Sequence, residues 1–221
     1  MPTRRDKMRT SNVVGLACAV VALLAPLTAV AEHNDLREFR IGMPVSALPQ
    51  SGYGGFTCAA EPAKTLSGWG DYKACPAGTD GMHAVSFRYD GNPSTEGKTI
   101  VAGQPVTLTL LIDDQAEVGG LRIDTDPHAR LYLHKKAHLF AIQVRERFGA
   151  DGWTCRKFEP TATEQPVGGV FFHDHCEKAT ETRRYLLDRE LFRDPAKPLI
   201  DFTDATQLTI LKPDSAQTAG R

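Results

Sequence analysis

Two short stretches constrain the fold more than anything else in the chain. "GGFTCAAEP" (Gly54 to Pro62) and "DGWTCRKFEP" (Asp151 to Pro160) share glycine, an aromatic, threonine and cysteine, with Glu-Pro close behind. Each is followed by a second cysteine, Cys75 or Cys176, and about ten residues later by a strand-like segment, "VSFRYD" from Val85 or "LLDREL" from Leu186. Four cysteines allow three pairings. The order of features favours tandem units, each closed by its own bridge, Cys58–Cys75 and Cys155–Cys176. Such a bridge closes a loop of about 20 residues, for which chain entropy gives roughly 3 kcal/mol of stabilisation.

Disulfides need an oxidising compartment, and the start of the chain supplies the route to one. Arg4, Arg5, Lys7 and Arg9 precede the apolar run Val13 to Val30, and Ala29-Val30-Ala31 offers small residues at a cleavage site. Residues 1–31 therefore read as a signal peptide. Cys18 suggests a lipoprotein, but Gly15 stands where a large aliphatic residue is needed. Without that segment, 22 Lys and Arg face 26 Asp and Glu, so the whole-chain charge of -1 becomes -4. A mildly acidic chain argues against nucleic acid or a polybasic membrane contact. No later apolar run is long enough to span a bilayer. The expected location is periplasmic or secreted.

The expected organisation is a first bridged unit over 32–104, a second over 105–211 and a disordered tail over 212–221. The spacing of Leu133, Ala137, Phe140, Ala141, Val144 and Phe148 makes one apolar helix face. With Asp126 as N-cap, Pro127 as first residue and Gly149 as C-cap, it predicts one helix over 127–148, about 33 Å long. Lys135, Lys136, Arg145 and Arg147 would face solvent. "PVTLTLLID" and "LRIDT" flank the polar "DQAEVGG" as a hairpin, "GGVFFHDHC" and "RRYLLDREL" make a second antiparallel pair, and "ATQLTIL" is a last strand. "FRIGMPVSALP" (Phe39 to Pro49) reads as a short helix or turn. The fold class is α+β, antiparallel sheet with helices packed on one face.

The opening Phe39, Ile41, Gly42 and Met43, together with the two cysteine pairs, resembles the beta-lactamase inhibitor protein architecture. That resemblance implies two helix-plus-sheet units whose paired sheets offer a concave face to a partner protein. The second half carries "PHARLYLHKKAHLF" where a Gly-Met counterpart would stand, and no partner-binding residue carries over.

Candidate chemistry is sparse. His173 and His175 share one face of a strand, and His134 and His138 share one side of a helix. If helix and strand faced each other, the imidazoles could hold zinc or copper. Asp188 and Glu190, two apart, are a carboxylate pair that reads as exposed strand charge. No G-x-S-x-G or phosphate-cradling loop is present. Tyr53, Trp69 and Tyr72 lie among glycines around the first cysteine pair, a composition suited to partner contact; the competing expectation is that such aromatics pack on the disulfide, as for Phe56 and Trp153. Two functions stand: binding, without catalysis, to another periplasmic or extracellular protein, or a metal site on His134, His138, His173 and His175.

Overall fold

The computed structural model describes Met1, residues 34–89 and residues 99–213. The expected signal peptide, the loop "DGNPSTEGK" and most of the expected disordered tail lie outside the described residues. From residue 34 onward the described chain falls in one compact unit.

That unit is dominated by antiparallel sheet. Its strands are β1 (Tyr53–Cys58), β2 (Glu61–Thr65), β3 (His83–Tyr89), β4 (Thr99–Val101), β5 (Gln104–Ile112), β6 (Val118–Thr125), β7 (Thr154–Lys157), β8 (Phe172–Ala179), β9 (Arg184–Arg193) and β10 (Phe202–Leu211). They form one sheet in the order β2-β1-β3-β5-β6-β10-β9-β8-β7, with β4 paired to β5. The stretch expected as the first unit joins the rest through β5, which pairs with β3 and β4, and β6 pairs β10 over five residues from Gln207↔Asp124 to Leu211↔Gly120. The expected hairpins are β5–β6 and β8–β9. The glycines of "DQAEVGG" belong to β6 and not to the turn, which Asp113 closes by accepting from Gln115 N and Glu117 N.

Register decides which side chains share a face. One row across the sheet reads Phe87, Leu108, Ile123, Leu208, Leu187, Cys176 and Cys155. This face carries the core, and all of its members but Cys155 are buried. Against it pack the N-terminal segment and the buried residues of α2 (Phe140–Phe148), whereas α1 (Leu131–His134) buries none of its residues. Phe39 centres an aromatic group there, with ring centroids 4.9 Å from Tyr53, 5.1 Å from Phe87 and 5.7 Å from Trp69. Asp35 fastens the same segment to the β8–β9 turn: Arg183 donates to it from Nε at 2.8 Å and Nη2 at 3.1 Å, and Ile41 N donates at 2.8 Å.

The continuous helix over 127–148 is not formed. Asp126 does accept from a following amide, His128 N at 2.8 Å, but this closes a turn and the helix begins only at Leu131. After His134 the chain passes through a 3-10 turn (Ala137–Leu139) before α2. The break has a tertiary cause. Asp204 on β10 accepts from His138 N at 2.7 Å and lies 2.9 Å from its Nδ1, which holds the 3-10 turn before α2 against the sheet. The expected apolar face survives the break, with Ala137, Phe140, Ala141 and Val144 buried. Gly149, at φ +89, ends α2 as a residue without Cβ can. Arg145 is not a solvent residue: its Nη2 lies 2.9 and 3.0 Å from the sulfurs of Cys155 and Cys176.

Both expected disulfides are present, and they differ in what they join. Cys58–Cys75 ties the end of β1 to the 3-10 turn Trp69–Ala74, whereas Cys155–Cys176 links residues directly opposite on β7 and β8. Among the described residues no helix is long and apolar enough to cross a membrane.

Candidate functional site

Among the described residues the sheet's other face has no helix on it. Where the core row alternates with it, a second row reads Thr107, Asp124, Gln207, Asp188, His175 and Arg156. Period-two alternation forces this outcome: once Cys176 faces the core, His175 and Glu177 must point the other way. A groove of about 1290 Å³ runs along this face, lined among others by Asp124, Gln207, Asp188, His175, Glu190 and Arg156.

Its side chains are linked to one another across strands. Gln207 Nε2 donates to Asp124 Oδ1 at 2.5 Å, and Arg122 Nε donates to Asp124 Oδ2 at 3.1 Å. On the next strands His175 bridges two carboxylates, with Nδ1 at 2.6 Å from Asp188 Oδ1 and Nε2 at 3.0 Å from Glu177 Oε1. Arg184 Nη2 then donates to Glu177 Oε2 at 3.0 Å. The hydrogen bond to Asp188 raises the His175 pKa above its ordinary value, against the opposing pull of partial burial. Glu177 is held below the usual carboxylate range by its hydrogen bonds to His175 and then Arg184. When the ring is protonated both nitrogens are donors, one to each carboxylate, which is why these partners favour the imidazolium. At the groove's end Arg156 stacks over Phe158 at 4.4 Å, and Phe158 lies 4.7 Å from the His173 ring. His173 Nδ1 is 3.1 Å from Glu164 Oε1 but out of hydrogen-bond geometry.

The four expected metal-ligating histidines do not converge. His134 stacks on Phe202 at 5.1 Å, and His138 is bound to Asp204 beside Phe172, all on the core side. His173 and His175 are on the open side, so the sheet itself separates the two pairs. His175 cannot gather its neighbours either, because Asp188 and Glu177 bind opposite ring nitrogens. Among the described residues no group of three or more His, Cys, Asp or Glu is arranged for a metal ion.

Tyr53, Trp69 and Tyr72 are not surface residues. Trp69 is 3 % exposed and donates from Nε1 to Pro49 O at 2.9 Å, and Tyr72 packs edge-on to His83 at 5.5 Å. The Tyr53 hydroxyl donates to Glu38, and burial, then that carboxylate, pushes its pKa far up. The aromatic payload goes inward because the N-terminal Phe39 offers it a core. Sequence reasoning missed Gln207, Asp124 and Arg156, which have no local motif and become neighbours only through pairing.

No family model, curated protein or solved structure matches the chain. What the molecule defines by itself is a disulfide-bridged, sheet-dominated protein with one face packed and the other open and charged.

Proposed function

We propose that this is an exported, disulfide-stabilised binding or envelope accessory protein without catalytic activity, and that its open sheet face holds another periplasmic or extracellular protein. One observation carries the reading. The open face bears an ordered, cross-linked set of charges of both signs, Arg122–Asp124–Gln207 and Asp188–His175–Glu177–Arg184. Side chains already held in place lose little entropy on association, and mixed charge favours specificity over bulk attraction. The resemblance to the beta-lactamase inhibitor protein architecture points the same way, as does the reading of the chain as two related halves.

The test is a photo-crosslinking residue placed at Gln207 or Glu190, with Lys64 on the exposed β2 as the control position. Expressed in a secreting cell, the face positions should yield one discrete protein adduct, weakened by Asp188→Arg, and Lys64 should not. Adducts of equal yield at all three positions, or none on the face, would sink the proposal.

A further inference from the structure

The packed face of the molecule has an outer surface of its own, and it is not polar. Leu131, Tyr132, Leu139 and Ile142 on the helical segment are exposed, and Leu199 and Ile200, just before β10, are 77 % and 64 % exposed. Three contacts along β10 bring these segments together. Phe202 stacks on His134 at 5.1 Å, Asp204 binds His138, and Thr206 Oγ1 donates to Ala137 O at 3.0 Å. Phe202, two residues after Ile200, therefore lies against His134, the last residue of the short helix that carries Leu131 and Tyr132. Clustered exposure of this kind marks an interaction site where scattered apolar residues would not.

The same surface carries cations. Lys135 and Lys136 lie between the apolar helical residues, and Lys197 lies two residues before Leu199, all exposed. None of the three ammonium groups has a carboxylate partner among the described residues. Aliphatic residues and a tyrosine set among unpaired lysines match the headgroup boundary of an anionic bilayer: the apolar chains enter the acyl edge and the lysines reach the phosphates.

We infer that this apolar, lysine-bearing surface docks the protein on anionic lipid, leaving the charged sheet face turned away from the membrane. It requires no spanning helix, is independent of what the open face binds, and departs from the expectation drawn from net charge because screening makes the local lysines, and not the whole-chain charge, what a membrane surface meets. Each lysine near an anionic surface contributes enough that three together change affinity on the order of a hundredfold.

The test is vesicle flotation of protein purified after expression of the full chain, with the N-terminus defined by mass spectrometry and identical in every variant. Vesicles of phosphatidylglycerol with phosphatidylcholine should carry the protein, pure phosphatidylcholine should not, and added salt should release it. Leu199→Asp with Ile200→Asp sits in an exposed loop and should abolish flotation with an unchanged circular dichroism spectrum. Lys135→Glu with Lys136→Glu should reduce flotation on anionic vesicles by tenfold or more. Flotation equal on neutral and anionic vesicles, or retained in the loop variant, overturns the inference. So does a wild-type dimer that the loop variant dissolves, since the surface would then belong to a second copy.

Discussion

Replacing both cysteines of one bridge by alanine tests how the two disulfides differ. Cys58–Cys75 and Cys155–Cys176 are separated by 17 and 21 residues, so chain entropy assigns each about 3 kcal/mol, nearly the same. The difference must come from the native side. Cys58 and Cys75 are both buried, at 0 % and 2 % exposed, whereas Cys155 lies exposed on the edge strand β7 and only Cys176 is buried. At ~0.8 kcal/mol per buried methylene-sized group, losing two buried sulfurs adds about 1.5 kcal/mol and losing one adds about half that. The first double variant should therefore lose about 4.5 kcal/mol and the second about 0.7 kcal/mol less. A loss of that size approaches the whole stability of an ordinary domain. Urea unfolding at 15 °C in a stabilising sulfate buffer is the suitable assay, with the m-value checked for a changed unfolded state. If removing Cys155–Cys176 costs as much as removing Cys58–Cys75, or more, the assignment of the difference to burial is wrong.

Asp204→Ala should cost about 2 to 3 kcal/mol, because it strips two nitrogens of His138 of their partner in the 3-10 turn before α2; hydrogen exchange should show that turn opening first, and a loss under 0.5 kcal/mol would refute the anchoring role. His175 has its pKa raised by its carboxylate partners, so its stabilisation is fully present below the unfolded value near 6.5 and fades as pH climbs through the raised folded value. An NMR titration should place His175 above an ordinary histidine, and Asp188→Asn should lower it; an unchanged titration in that variant contradicts the geometry. Gly120→Ala should destabilise by about 1 to 3 kcal/mol, since a Cβ there would meet Leu111 Cδ1 and Leu211 Cδ2 at 2.8 Å and Ile210 O at 3.2 Å; a thermal melt unchanged from wild type would mean that β6 shifts to make room.

Much of this protein was legible residue by residue. The two Gly-aromatic-Thr-Cys stretches, each followed by a second cysteine, led to the pairing that is found, because each bridge closes a short loop and needs no long-range information. The strand parity of "FFHDHC" also followed from period two: Cys176 with Asp174 on one side, His173 with His175 on the other. The apolar helical stripe and its Gly149 terminus were read from spacing in the same way. Local sequence carries these features because each rests on neighbours within a turn or a strand.

Tertiary structure decided the rest. Parity could not say which sheet face the helices cover, so His134 and His138 fell on the opposite side from His173 and His175. The single helix over 127–148 gives way at His138 to a 3-10 turn held by Asp204, 66 residues away in the chain. Tyr53, Trp69 and Tyr72 were drawn inside because Phe39 from the N-terminal segment completes their core. The open face, with Asp124, Gln207, Asp188 and His175 in one row, exists only through the pairing of β6, β10, β9 and β8. Hydrogen bonds between strands, and not proximity in sequence, assemble that surface.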